Sequence, residues 1–579
     1  MTHQQQQRRL LHLKGHTQPV TNLAYNQTTH QLLSGSEDGT VLLWNTANFD
    51  FADTVAHASH CIVVPHKSEV TCVAFHPCYS FSYECNNSND KDEDYERFSA
   101  SSSSVFIAAE NRVLEYRINS AADSVFNSST SDDPAVLCCS EDEINQLSLQ
   151  TLILQNDAIS TTTTSNSDSS HSKSNTNKND GVMIQVAACD DNGKVRIVTL
   201  EQQQQQQRQQ TTTTSSTCSS NSKKKNATTK HRTIAHDSQS LVTTTAFRPH
   251  MTTNVKGKVK GNKKKIKNKR NKQNKKSKSS DEMSKKKLQQ NHNLVSGGTD
   301  CCIKYWDVRR PDKMLDCISM NDATNNNNNH NQICNPPMVH SLSWSPSGKV
   351  LAAGLGDGSV AVLKVEHNRK LTLVSRADEF NTGNKGHSHA VACVCFVNPD
   401  VARALLLNTS ISSDNDNAGS DDVSLACSCA LDRLLITAGG DGMICIWDLG
   451  MSSCDTNNNS KDGNNIAAIP PDELLDLDAM CCETDIGINE AMAGMGVVQD
   501  NRTGSSSICS ANRRVLPTVL HRICHGEKPN SIAMGVSTME RCESSSPSTP
   551  LTVLDLYVAD VSNHISMYRL PCRISAVDK

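Results

Sequence analysis

The sequence predicts an all-β fold in which one strand–turn–strand unit recurs seven times around a closed ring. Three observations predict it: a short apolar segment recurs along the chain, a hairpin-like segment follows each copy, and polar tracts separate the copies. Several of the short segments meet a proline, and a β-branched run closed by proline is typical of a strand that ends in a turn. The copies are VTNLAY from Val20, VTCVAF from Val70, INQLSL from Ile144, VTTTAF from Val242, VHSLSW from Val339, VACVCF from Val391 and a weaker NSIAMG from Asn530.

The second recurring segment has the composition of a tight β-hairpin. Its clearest copies are LLSGSEDGTVLLWN from Leu32, LVSGGTDCCIKYWD from Leu294 and LLITAGGDGMICIWD from Leu434. Each has two apolar runs joined by a turn that contains Asp and often Gly, which are the residues that tight turns between paired strands require. Looser copies start at Val105, Met183, Val350 and Leu556.

Spacing within the hairpins resembles that of the WD-repeat family of β-propellers. A Trp follows the turn Asp by six residues in three copies, and these hold three of the four tryptophans in the chain. The resemblance implies a hydrogen-bonded network of His, Ser or Thr, Asp and Trp in a blade. The network residues would be His16, Ser34, Asp38 and Trp44 in one copy, His387, Thr437, Asp441 and Trp447 in another, and Ser296 and Asp300 beside Trp306 in a third. Because a buried Asp needs hydrogen-bond donors, a structural role is favoured over catalysis for these residues.

Counting both segments gives one seven-bladed WD-repeat β-propeller over residues 8–571, with long disordered polar insertions. The expected blades are 12–47, 66–118, 141–200, 236–310, 339–366, 386–449 and 525–571, and the expected low-complexity or disordered insertions are 154–180, 201–232, 251–291, 318–335 and 451–515. The last blade has no strand after ISMYRL, so residues 8–13 are expected to complete it. The second, third and seventh blades have no Trp and are expected to be closed by ordinary apolar packing and to be the less rigid part of the ring.

The sequence shows no serine nucleophile paired with a base, no P-loop and no metal ligand set, which favours a role without enzymatic activity. The formal net charge is −4, but residues 256–278 carry 13 Lys and Arg and no acid. This basic segment is a solvated insertion, a nuclear-import signal or a contact for a polyanion, and nucleic acid binding is expected only there. No CxxC pair occurs among the 24 cysteines, and we expect no metal, cofactor or catalytic residue. No apolar run suggests a membrane span, so a cytoplasmic or nuclear location is expected.

One hairpin continues differently from the others, as Trp306-Asp307-Val308-Arg309-Arg310. The run from Leu294 to Arg310 is similar to the box of WD proteins that dock on the damaged-DNA-binding adaptor of cullin-4 ubiquitin ligases. The resemblance implies that Trp306, Asp307, Arg309 and Arg310 form a partner-binding site, in which Arg309 contacts the adaptor. Alternation along the strand predicts that Trp306 points inward while Asp307 and Arg309 point outward. The alternative is that the arginine caps the strand and pairs with Asp307 or Asp312.

These observations predict a non-enzymatic interaction platform, acting as a monomeric subunit of a larger complex. The favoured role is a substrate receptor that joins a cullin-4 ligase adaptor to an unknown substrate. The alternative is a structural scaffold in a nuclear or ribonucleoprotein assembly that uses loop 256–278. Arg309 is expected to be solvated in the free protein, so its removal should change the free energy of unfolding little.

Overall fold

β-strands form almost all of the regular structure in the computed structural model of the protein. The exceptions among the described residues are two short 3₁₀ helices, Thr46–Asn48 and Pro65–Lys67. The structure describes residues 11–49, 55–76, 103–118, 134–154, 181–202, 229–236, 239–249, 292–321, 335–366, 369–377, 387–397, 432–449, 517–539 and 551–571.

The first half of the chain holds the strands β1 (Leu11–Lys14), β2 (Val20–Asn26), β3 (Gln31–Ser36), β4 (Thr40–Asn45), β5 (Val55–Ala56), β6 (His60–Val63), β7 (Val70–Phe75), β8 (Ser103–Ala109), β9 (Arg112–Ile118), β10 (Ala135–Cys139), β11 (Ile144–Leu154), β12 (Gly181–Asp190), β13 (Lys194–Gln202), β14 (Thr229–Ala235) and β15 (Val242–Phe247). The second half holds β16 (Asn293–Gly298), β17 (Cys302–Asp307), β18 (Met314–Ser319), β19 (Val339–Trp344), β20 (Val350–Leu355), β21 (Val360–Val365), β22 (Leu371–Ala377), β23 (Val391–Phe396), β24 (Leu434–Gly439), β25 (Met443–Asp448), β26 (Thr518–Cys524), β27 (Pro529–Met539), β28 (Leu551–Asp560) and β29 (His564–Pro571).

These strands form seven sheets, antiparallel except at the edge of the last, arranged as the blades of a closed ring. From the inner to the outer strand, blades 1 to 6 are β2-β3-β4-β6, β7-β8-β9-β10, β11-β12-β13-β14, β15-β16-β17-β18, β19-β20-β21-β22 and β23-β24-β25-β26. Blade 7 is β27-β28-β29-β1-β5. Each inner strand contacts the inner strand of the next blade, and β27 contacts β2, so the ring closes. The predicted seven-bladed β-propeller is confirmed.

The blades extend beyond the bounds expected from sequence. In blades 1 to 6 the outer strand lies after the expected end of the blade: β6, β10, β14, β18, β22 and β26. Two of them, β14 and β18, overlap the expected insertions 201–232 and 318–335. Outer strands of this kind face solvent and lack an apolar alternation, which is the signal that marks a half-buried strand. The rest of the expected insertions lies almost wholly outside the described residues.

The two ends of the propeller chain meet in blade 7. β1 pairs antiparallel with β29, with Leu11 opposite Met567 and Leu13 opposite Ile565. Leu11 and Leu13 are buried with Trp44 and Tyr557 between blades 7 and 1. Blade 7 is therefore completed by the N-terminal segment, and its outer edge then carries the two-residue β5 in parallel.

A β-bulge recurs near the start of all seven inner strands. Each inner strand shifts register between its first and third residues, for example between Val20 and Asn22, which leaves the second residue unpaired in its own ladder. In five blades the side chain of that second residue donates to the backbone carbonyl of the first residue in the next inner strand. The bonds are Thr21 to Val70, Thr71 to Ile144, Asn145 to Val242, Thr243 to Val339 and Asn530 to Val20.

The third residue of these inner strands often makes a second bond between blades. Asn22 Oδ1 accepts the backbone N–H of Val73 at 3.1 Å, and Ser341 Oγ accepts that of Val394 at 3.1 Å. Cys72 does the same with its sulfur. In most blades the bulge thus turns one or two side chains of the inner strand toward the neighbouring blade, which fixes adjacent blades to each other at the centre of the ring.

The antiparallel order gives the ring two different faces. The upper face carries the turns between the second and third strands, such as 37–39 and 299–301, and the links between blades. The lower face carries the other connections within blades. The long ones on that face join Phe75 to Ser103, Ile118 to Ala135, Leu154 to Gly181, Gln202 to Thr229, Phe247 to Asn293, Phe396 to Leu434, Asp448 to Thr518 and Met539 to Leu551.

We expect removal of residues 1–14 to destabilise the whole ring. The deletion leaves β29 without its partner and exposes the apolar surface that Leu11 and Leu13 cover, so the melting temperature should fall by several degrees or more. Removal of residues 1–9, which leaves β1 intact, is the matched control. Equal melting temperatures for the two truncations in a thermal denaturation experiment would contradict this account of ring closure.

Candidate functional site

The network implied by the WD resemblance is assembled in blade 1. His16 Nε2 lies 2.8 Å from Ser34 Oγ, and His16 Nδ1 lies 3.3 Å from Asp38 Oδ2. Trp44 donates its indole N–H to the same Ser34 oxygen at 2.9 Å. Ser34 and Trp44 are fully buried. These bonds connect the segment before β2, which holds His16, to the second and third strands of blade 1.

Blade 6 repeats this arrangement. His387 Nε2 lies 2.7 Å from Thr437 Oγ1, His387 Nδ1 lies 3.1 Å from Asp441, and Trp447 donates to Thr437 at 2.8 Å. Burial lowers the pKa of His387, but hydrogen bonds and charge interactions with Asp441 and Cys445 together outweigh burial and raise that pKa to about 9. In blade 1, by contrast, burial dominates and the pKa of His16 is lowered despite Asp38.

Blade 4 contains a network histidine that the sequence analysis missed. His236 Nδ1 lies 2.7 Å from Ser296 Oγ and His236 Nε2 lies 3.2 Å from Asp300, while Trp306 donates to Ser296 at 2.8 Å. Lys304 also contacts Asp300 at 2.9 Å. Ala235 precedes this histidine in place of the usual glycine, and a long insertion separates it from Ser296, so the Gly-His signal was absent.

Two blades without a Trp, blades 3 and 7, add polar networks to the apolar packing that was expected to close them. In blade 7 the buried His525 bonds Asp560 at 2.7 Å and Tyr568 at 2.7 Å, so a phenol takes part where an indole does elsewhere. In blade 3, Ser140 donates to Asp190 and Arg196 contacts both. An aspartate in the upper turn is the shared feature.

The segment from Leu294 to Arg310, which resembles the adaptor-docking box, is only partly exposed. Trp306 is 5% exposed and Asp307 is 4% exposed. The assignment of both residues to a partner-binding site stays a prediction, but Asp307 was predicted to point outward and its burial shows that this orientation is wrong. The reason is tertiary: Asp307 turns inward to meet arginines from two segments, and Trp306 belongs to the hydrogen-bond network of its own blade.

Arg309 is exposed and is held in one position by Asp307. Its Nε and one terminal nitrogen donate to the two Asp307 oxygens at 2.9 and 2.7 Å, and its backbone N–H donates at 3.1 Å. The Arg309 side chain is 53% exposed while that of Asp307 is 6% exposed. Hydrogen bonds from Arg309 keep the pKa of Asp307 below its usual value. The alternative pairing with Asp307 is therefore present, and it leaves the guanidinium accessible.

Arg369 is the second cation at this carboxylate. One of its terminal nitrogens lies 3.6 Å from Asp307, across the border between blades 4 and 5, and its side chain is 45% exposed. Arg310 is also exposed, and its backbone N–H donates to the Asp307 carbonyl at 2.8 Å. Two arginines, Arg309 and Arg369, thus contact one buried carboxylate on the lower face, and the exposed Arg310 follows Arg309 in the chain. We name Arg309, Arg310 and Arg369 the arginine cluster.

The same position in blade 6 is built differently. Asp448 follows Trp447 there and pairs with Arg433, which precedes the second strand of the blade. The Arg433 side chain is only 14% exposed. Asp307 and Asp448 therefore each form an ion pair with an arginine. Of these two pairs, the one in blade 4 has its guanidinium exposed to solvent and the one in blade 6 does not.

The ion pair with Asp307 also changes the effect that removing Arg309 should have on the free energy of unfolding. Without the guanidinium, the buried Asp307 keeps the backbone N–H of residue 309 and the more distant Arg369. A buried polar group that loses a hydrogen-bond partner costs about 1–3 kcal/mol. We therefore expect Arg309→Ala to lower the free energy of unfolding more than removal of a solvated side chain without a buried partner would.

The described residues contain no candidate for two other kinds of site. No group of three or more His, Cys, Asp or Glu in the described part of the chain is arranged to hold a metal ion. Among the same residues, no helix has the length and apolar character needed to cross a membrane. The basic segment 256–278 lies outside the described residues.

We expect the His387–Asp441 pair to stabilise the fold less as pH rises toward 10. The pKa of His387 is raised by folding to about 9, so its contribution is full below about pH 6.5, the value for a free histidine, and is lost as pH rises through about 9. Thermal melts between pH 7 and 10 should show a smaller decline for Asp441→Asn than for the unsubstituted protein. Asp38→Asn is the control and should leave the decline unchanged. The pKa of His16 is lowered in the fold, so this histidine is already neutral across the whole pH range. Parallel curves for Asp441→Asn and the unsubstituted protein would contradict the assignment.

Comparison with protein families gives two matches that fit this architecture. Residues 7–45 match the family described as WD domain, G-beta repeat, which spans β1 and the first three strands of blade 1. Residues 328–396 match the anaphase-promoting complex subunit 4 WD40 domain, which spans blade 5 and β23. The chain is therefore similar to WD-repeat proteins over these two segments, and that similarity fits the seven-bladed ring.

Proposed function

We propose that the protein is a substrate receptor that docks on the damaged-DNA-binding adaptor of a cullin-4 ubiquitin ligase through the arginine cluster. The propeller itself suggests a protein-interaction platform without enzymatic activity. The observation that carries the finer proposal is the exposed Arg309 guanidinium, fixed by a two-point ion pair with a buried carboxylate. A planar guanidinium held in this way loses little side-chain entropy on binding and still has free N–H donors.

Three of the four lower-face connections in blades 4 and 5 are short, which supports access to Arg309. They are 308–313 in blade 4, and 345–349 and 366–370 in blade 5. The fourth, from Phe247 to Asn293 in blade 4, is long and ends at His292, whose carbonyl accepts the Val308 N–H. The adaptor would contact this sector of the lower face, and a substrate would bind the upper face. Rigidity of the ring would keep the two partners at a fixed distance and angle.

Further sequence resemblance is part of the proposal. Stretches outside the general blade pattern, above all HGEKPN from His525, are similar to WD repeat-containing protein 53. His525, the first residue of that stretch, is the network histidine of blade 7. We propose kinship with that protein on these stretches.

We expect Arg309→Ala to weaken adaptor binding about thirtyfold, the effect of losing about 2 kcal/mol at an interface hot spot. The single substitution also leaves Asp307 underpaired, so the double substitution Asp307→Asn with Arg309→Ala separates binding from folding. Asn keeps an oxygen for the backbone N–H of residue 309 and carries no buried charge. The measurements are affinity for the purified adaptor and the thermal melt of each variant.

Arg433→Ala is the matched control, because it breaks the equivalent ion pair in blade 6 where the guanidinium is largely buried. It should lower the melting temperature and leave adaptor affinity unchanged. Trp306→Ala should unfold the blade, with a loss on the order of 3–5 kcal/mol. Unchanged adaptor affinity of a folded double variant, or no binding by the unsubstituted protein, would refute the proposal. Recovery of RNA or nucleolar proteins in its place would favour the scaffold role through loop 256–278.

A further inference from the structure

The outer edge of blade 3 differs from the edges of the other blades. Its outer strand β14 has seven residues, of which six are exposed and only Ile234 is buried. The outer strands of blades 1 and 2 have four and five residues. Those of blades 5 and 6 also have seven, but most of their described residues are half-buried. Within the described residues β14 pairs only with β13, so one side of this strand offers unpaired backbone groups to solvent.

The register fixes which backbone groups are free. His236 donates its N–H to Gly193, so the hydrogen-bonded pairs of the two strands continue at Ile234, Arg232 and Lys230. The alternate residues, among them His231 and Thr233, direct N–H and C=O away from β13. Four residues of β14 therefore present a donor and acceptor row that another extended strand could use.

A groove flanks this edge on each side. One, of about 540 Å³, lies toward blade 4 and is lined by Thr233, Ala235, His236, Lys304, Trp306, Pro311, Asp312 and Met314. The other, of about 220 Å³, lies toward blade 2 and is lined by Cys138, Cys139, Arg196, His231, Arg232 and Thr233. Alternate side chains of an added strand would enter the two grooves in turn. Met314, 42% exposed, offers an apolar contact in the first groove.

Charge favours an acidic occupant. β14 carries Lys230 and Arg232 and no acid. Arg232 donates to the Val308 carbonyl at 2.6 Å, which is a neutral acceptor and leaves its charge uncompensated by that bond. Asp312 is the one carboxylate among the groove-lining residues.

The ring already accepts an additional strand at another blade edge. In blade 7, β5 pairs in parallel with the outer strand β1, with His12 opposite Val55 and Leu13 opposite Ala56. We propose that β14 binds an extended acidic segment of a partner protein as a fifth strand of blade 3. The surface lies on the outer rim, and its groove toward blade 4 reaches Pro311 and Asp312, in the same turn as Arg309 and Arg310.

Fluorescence anisotropy with the full-length protein tests this proposal. The probe is a labelled eight-residue peptide of alternating Glu and Val, and the comparison probes are its Lys and Val counterpart and an oligouridylate. We expect saturable binding of the acidic peptide alone, with affinity that falls as salt concentration rises. Equal or tighter binding of oligouridylate would overturn the proposal. No binding of the acidic peptide would also overturn it, and that result is expected if Lys230 and Arg232 only prevent edge pairing.

Backbone variants separate strand pairing from simple charge attraction. Thr233→Pro removes an outward N–H without removing a ladder bond, a placement that edge strands tolerate. It should weaken binding at least tenfold, while Thr233→Val should bind normally. Ser319→Pro, at an outward position of β18, is the control for proline in another outer strand. If Thr233→Pro does not fold, hydrogen exchange of the unsubstituted protein is an independent test, because bound peptide should protect the amides of residues 231 and 233. Normal binding by a folded Thr233→Pro, or unprotected amides, would overturn the proposal.

Discussion

The structure depends on the bonds that the inner strands make with one another at the centre of the ring. A blade of four strands has two apolar faces and cannot bury them alone, so each blade needs a neighbour on both sides. The repeated bulge supplies directional contacts for this packing. It releases one residue from its own ladder, and in five blades that residue bonds the backbone of the next inner strand. Blades 5 and 6 have His340 and Ala392 at this position, so their contacts rely more on packing of the apolar side chains.

Both candidate binding surfaces follow from this arrangement. Because the centre fixes the blades, the outer parts of each blade are free to differ. Blade 4 uses that freedom at the lower end of β17, where a buried Asp307 holds Arg309 in an exposed position. Blade 3 uses it at its outer strand, which is long and exposed where others are short or partly covered. A partner at either surface would leave the central bonds unchanged.

Local sequence predicted the features that repeat, and it failed where contacts come from distant segments. The bonds of His16, Ser34, Asp38 and Trp44 were foreseen because fixed spacing marks them, and seven inner strands were foreseen because each has the same apolar pattern. His236 was missed because an alanine precedes it and an insertion follows it. The outer strand TKHRTIA lacks apolar alternation and was placed in an insertion. Burial of Asp307 could not be predicted, because Arg369 reaches it from the next blade.

We propose that the adaptor binds the lower face at the border of blades 4 and 5. Hydrogen exchange of the full-length protein, measured with and without the purified damaged-DNA-binding adaptor, tests it most directly. Binding should protect amides in the turns 308–313, 345–349 and 366–370 and leave the upper-face turns 37–39 and 440–442 unchanged. Protection confined to the upper face, or no protection at a saturating adaptor concentration, would contradict the account.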